Sequence, residues 1–211
     1  SNHSFDLLSC FPASAEPGKA FTSVTYSNLY FREPESRADQ TRMMSIVTTG
    51  AETGYYVDVF RSRKEKGGDK MHDYFYHNLG QTLTLTAADG SDLNLQPTEE
   101  LAFAGAHLYA YSYLYDKKVA ATNKDVKATF TIDMKDKDGD DIYMNLWMKG
   151  EPDREVFTAL APMTEGLSRT PNMPYNIKEQ PTLTFVARQH GEAWNRPFVS
   201  IYEPSTKKEP S

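Results

Sequence analysis

GYYVDVFRSRKEKGGDKMHDYFYHNLG, residues 54–80, is the stretch that decides the fold. Residues 54–63 alternate apolar and polar side chains and are rich in β-branched and aromatic types, the pattern of a half-buried strand. Residues 71–78 repeat it. Between them Lys64-Glu65-Lys66-Gly67-Gly68-Asp69 reads as a charged turn, so the spacing predicts a long hairpin. Successive side chains of a strand point to opposite faces. His72, Tyr74 and Tyr76 therefore share one face, and Asp73, Phe75 and His77 share the other.

The same strand signal recurs outward from this stretch, at residues 21–26, 43–49, 81–86, 93–96, 154–160, 182–188 and 197–202. Residues 126–134 and 141–148 flank Asp138-Gly139 and predict a second hairpin. In TEELAFAGAHLYAYSYLY, residues 98–115, tyrosines recur at every second position. That spacing favours an extended segment with His107, Tyr109, Tyr111, Tyr113 and Tyr115 on one face. Residues 161–181 hold Pro162, Pro171, Pro174 and Pro181 and read as a long loop. The fold class that follows is all-β, an antiparallel β-sandwich of about ten strands. It spans residues 19–204, after a loop-like segment 1–18 and before a tail 205–211.

The chain has 211 residues, enough to bury a core without disulfides, and its single cysteine, Cys10, has no partner for an internal bridge. The net charge of −6 argues against nucleic acid, whose binding rests on phosphate neutralisation by Lys and Arg. No run is apolar and long enough to read as a membrane span. The opening Ser-Asn-His lacks an initiator methionine, and the chain reads as a piece of something larger.

Candidate site residues cluster around the opening stretch. His72 and His77 lie on opposite faces, so one metal ion cannot take both, and no metal site is expected here. Asp73 and His77 share a face but sit roughly 13 Å apart along a strand, too far to pair. Two readings stay open for these three: hydrogen-bonded sheet residues, or groups presented to a substrate cleft. Arg61, Arg63 and the lysines after them form the densest basic cluster, suited to carboxylate or sulfate, though a charged turn is equally a solvated surface. Asp58, among Val57, Val59 and Phe60, is costly to bury bare, so it lies on the polar face or is paired, most simply with a cross-strand partner from residues 70–78. Trp194 lies in a polar loop and reads as exposed, a candidate sugar contact, whereas Trp147, between Leu146 and Met148, reads as buried. Asp133, Asp136, Asp138, Asp140 and Asp141 invite a calcium reading, but Gly139 precedes Asp140 where an EF-hand needs glycine after its third acid.

Tyr-Val-Asp-Val-Phe-Arg, then Gly-Gly, then His-Asp-Tyr-x-x-His, resembles the C-terminal β-domain of heparinase II/III-like polysaccharide lyases. Residues 143–162 and the ending RPFVSIYEP, residues 196–204, resemble that family's later strands. The resemblance implies a β-sandwich that works beside an N-terminal α-helical toroid, and a parent protein that cleaves uronic-acid polysaccharides by β-elimination. It implies an acidic polysaccharide as partner and a secreted or periplasmic bacterial setting. In the family the catalytic Tyr and His lie largely in the toroid, and zinc sits in a His-Asn-His-x-x-Asp-like motif. Neither is found in this sequence, so no cofactor is expected within the chain, and the isolated chain is expected to be inactive. His72, Asp73 and His77 match a later motif of supportive role. The alternatives are a carbohydrate-binding module and a purely structural partner domain without glycan affinity.

Overall fold

The inner faces of the strands explain the architecture. In the computed structural model, which describes residues 4–12, 23–102, 106–134, 139–164 and 179–206, strand is the dominant structure of the described residues. In chain order these are β1 (Asp6–Phe11), β2 (Val24–Arg32), β3 (Ala38–Thr48), β4 (Gly54–Lys64), β5 (Met71–Asn78), β6 (Thr82–Ala87) and β7 (Gln96–Pro97). They continue as β8 (Tyr115–Ala121), β9 (Val126–Ile132), β10 (Ile142–Met148), β11 (Arg154–Ala161), β12 (Thr182–His190) and β13 (Ala193–Ser205). Eight strands form one sheet in the order β1-β2-β3-β4-β13-β10-β9-β6, and five form the other, β5-β12-β11-β8-β7. The paired neighbours run antiparallel, as in β3 with β4 and β11 with β12. The expected antiparallel sandwich is what forms.

Alternation sorts the side chains. Ala128 and Phe130 on β9, Leu146 and Met148 on β10 and Phe198 on β13 face Tyr74, Val156, Phe185 and Ala187 of the small sheet. Each large side chain removed from water there contributes about 1.5–3 kcal/mol. The small sheet is covered on its other face as well. Leu101 and Leu114 lie over Phe157, Ala159 and Val186 in a second cluster. This is why β12 is buried at seven successive positions rather than at alternate ones. The large-sheet contribution to the main core comes from β4, β13, β10, β9 and β6. Strands β1–β3 extend past it as an overhang.

Several expectations are corrected. The stretch 54–78 makes both strands but no hairpin. β4 pairs with β3 and β13 in the large sheet, while β5 is the edge of the small sheet and pairs with β12. The connection is an arch between sheets, because it lets Asp58 and Tyr74 face each other across the core. The segment 98–115 is not a single strand. Ala106–Tyr113 is a 3-10 helix, and the strand begins only at Tyr115. Its tyrosines consequently split, with Tyr109 and Tyr113 exposed and Tyr111 packed edge-on against Phe75. Residues 6–11, read as loop, form β1 on β2, with Cys10 opposite Ser27. Strand pairing at residues 93–96 is confined to Gln96 and its neighbour Pro97. The second hairpin forms as expected, β9 on β10. Its turn at Asp138, Asp136 beside it, and most of the 161–181 loop lie outside the described residues.

Candidate functional site

The arch from β4 to β5 opens a cleft of about 400 Å³ at one end of the sandwich. One wall is the large sheet, with Gln40, Phe60, Ser62 and Lys64. The arch supplies Asp69 and Lys70, β5 supplies His72 and Asp73, and Glu100, Tyr111 and Arg188 close the far side. Three local arrangements hold these groups.

The first is His72 with Asp69. The carboxylate Oδ1 lies 2.6 Å from His72 Nε2 and also accepts the Lys64 backbone N–H at 2.6 Å. Burial opposes ionisation of Asp69, but the Lys64 amide and the His72 ring outweigh it and hold the carboxyl below its usual range. The arch is thereby tied to β5 by a charge-assisted contact at its own turn.

The second is Asp73 with Arg188, cross-strand partners on β5 and β12. Arg188 Nε and Nη2 each donate to the carboxylate at 2.8 Å, and Nη1 donates to Glu100 at 3.1 Å. Tyr111 Oη donates to Asp73 at 2.7 Å. The Asp73 bond, outweighing burial, raises Arg188 above the ordinary guanidinium range. Burial, then the Asp73 charge, pushes the Tyr111 phenol up, so it stays a donor at neutral pH rather than a base. A bidentate pair this dry fixes geometry, and loss of either member leaves an uncompensated charge.

The third is Ser62. Its side chain is 0% exposed, yet its hydroxyl lies on the cleft wall with no hydrogen-bond partner. A desolvated hydroxyl without a partner costs about 1–3 kcal/mol. Native structures leave few such groups, and those that persist have a reason.

The residues singled out by sequence divide among three places. His72 and Asp73 line the cleft. His77 lies on the outer face of the small sheet, bonded through Nδ1 to the Thr184 hydroxyl at 2.8 Å and stacked against Phe75. Arg61, Arg63 and Trp194 gather on the outer face of the large sheet. The β13 register slips between Ala193 and Phe198, which throws Trp194 outward. The Arg63 guanidinium lies 4.2 Å over its ring, and Arg61 donates to its carbonyl oxygen. Trp194 is therefore half-buried under Arg63 rather than freely exposed. Sequence reasoning missed Ser62, Asp69 and Arg188 as site residues. Ser62 had a signal, since period two places it inward with Asp58 and Phe60. Arg188, ending the apolar run 185–187, had one too. Asp69 had none, because an arch and a hairpin turn look alike in sequence.

Among the described residues no group of three or more His, Cys, Asp or Glu could hold a metal ion. None of their helices is long and apolar enough to cross a membrane.

No family model matches the chain. An endo-acting ulvan lyase from Formosa agariphila is 33% identical over 186 residues, covering 86% of this chain. The chain spans 21% of the length of that relative. This likeness relates the chain to a polysaccharide lyase across most of its length.

Proposed function

We propose that this chain is a β-sandwich domain of a uronic-acid polysaccharide lyase, of the heparinase II/III-like kind, with ulvan as the first substrate to test. The observation that carries the reading is the 33% identity to an endo-acting ulvan lyase across 86% of the chain. In this reading an exported parent protein performs β-elimination. An α-helical toroid supplies the base that removes the proton beside the uronate carboxylate, and the sandwich holds the polysaccharide in the cleft around His72. The cleft's chemistry suits holding. Its cations Lys64, Lys70 and Arg188 are matched by Asp69, Asp73 and Glu100, a mixed set of donors and acceptors fitted to a polyhydroxylated ligand. The residues that turn outward from it, Arg61, Arg63 and Trp194, are a second contact candidate, and His77 a structural one.

Native electrophoresis of the chain through gels cast with and without ulvan tests the reading. Retardation by ulvan, with no rise in ultraviolet absorbance from unsaturated uronate in a parallel digest, is the expected result. Eliminative turnover by the chain alone would place the catalytic groups inside it. Unretarded migration would leave a buttressing domain without glycan affinity. One observation favours that second reading: Met44, Ile46 and Tyr56 lie exposed together on the inner face of the overhang.

A further inference from the structure

The outer face of the large sheet holds a second hollow, of about 370 Å³, between β6, β9 and β10. It lies far from the cleft. β9 is three strands along from β4, roughly 14 Å at sheet spacing, and the hollow opens on the opposite face of the sheet. Register places two rows of side chains across it. Thr86, Lys127 and Trp147 form one, and Thr84, Thr129 and Asn145 form the other.

The first row is an aromatic plane with a cation above it. Trp147 faces away from the core that Leu146 and Met148 fill, so packing against that core does not explain a tryptophan here. Its Nε1 donates to Glu203 at 3.4 Å, which orients the indole. Lys127 Nζ lies 4.7 Å from the ring centroid. The expectation of a buried Trp147 is corrected to a half-buried ring on the solvent side.

The second row supplies hydroxyls. Thr84 is exposed, and Thr129 donates to Asn145 Oδ1 at 2.9 Å. The Asn145 side chain is 0% exposed and its amide nitrogen has no partner. An asparagine sealed beneath an outer sheet face accepts from the Thr129 hydroxyl and leaves one half of its amide unused.

From this juxtaposition we propose that the Trp147 hollow is an independent binding site for a sugar ring bearing a carboxylate. The ring lies against the indole, the carboxylate pairs with Lys127, and ring hydroxyls bond Thr84 and Thr129. The ligand class rests on the polysaccharide reading above; the hollow itself does not. A long polysaccharide that touches both this hollow and the cleft gains through effective concentration.

The test is an NMR titration of the chain with a β-1,4-linked glucuronate hexasaccharide, with neutral cellohexaose as comparator. Trp194→Phe assigns the two indole N–H signals. The Trp147 indole shifts saturably with the glucuronate, Lys127→Gln weakens that binding about tenfold, and Thr84→Val weakens it less. Lys127→Gln leaves the response to cellohexaose unchanged. A stationary Trp147 signal, while residues around His72 and Ser62 move, overturns the hollow and leaves the proposed function standing. Unaltered glucuronate binding by Lys127→Gln overturns the ligand class. No shift anywhere, with this probe or with ulvan oligosaccharides, overturns both.

Discussion

Asp58 is 1% exposed, and its carboxylate survives there because three donors converge on it. Arg42 donates through Nε at 3.1 and 3.0 Å and through Nη2 at 2.5 Å, and the Tyr74 hydroxyl donates at 2.6 Å. Tyr74 bonds Tyr202 in turn, so the group links both sheets through the core. A partner from residues 70–78 was legible in the sequence, since a bare carboxylate among Val57, Val59 and Phe60 is costly. Arg42 was not, because it reaches Asp58 diagonally across β3 and β4, and register is not written locally. His77 gives a prediction at this scale. Burial holds its imidazole below the ordinary value of 6.5. Below pH 6.5 the unfolded chain then binds more protons than the folded one, so this contribution to stability is present at neutral pH and lost on acidification. Thermal melts from pH 7.5 to 5 should show Tm falling, and His77→Gln should flatten that fall. A slope unchanged by the substitution would contradict the assignment.

Alternation exposed most of the strands, because each has a core face and the pattern records it. It could not expose which strands pair. A hairpin and an arch share the same two strands and the same charged connection, and only the demand that Asp58 meet Tyr74 across the core separates them. The tyrosines of 106–113 misled for a related reason. Period two is a strand signal only where one face is buried, and in this 3-10 segment Tyr111 goes to the small sheet while Tyr109 and Tyr113 go to solvent. Gly80 marks the return from β5 in the small sheet to β6 in the large one. Its φ is +141°, and a Cβ there would lie 2.4 Å from the Thr131 carbonyl oxygen. Gly80→Ala should cost about 2 kcal/mol and lower Tm by about 4–8 °C. Gly67→Ala, also at positive φ but with nothing within 4 Å, should cost about half as much. Equal shifts in the two melts would show that the switch between sheets does not depend on close approach to β9.

At the scale of the molecule, the sandwich was the most legible feature, since many short alternating strands with no helical period leave few other architectures. The site was legible only in outline. His72 and Asp73 were found beside a turn read as a hairpin, but the cleft also needs Ser62 from β4 across the arch and Arg188 from β12, distant in sequence. The net charge of −6 means that any acidic polysaccharide is met by local groups working against the global field. Binding should therefore depend sharply on the few cations at the cleft. Isothermal titration of ulvan oligosaccharides into the wild-type chain and into Lys70→Ala/His72→Gln tests this most directly. Saturable binding by the wild type is expected, weakened at least about tenfold in the variant, with Tm changed by no more than a few degrees. Equal affinity in the two chains, or no binding by either, would contradict it.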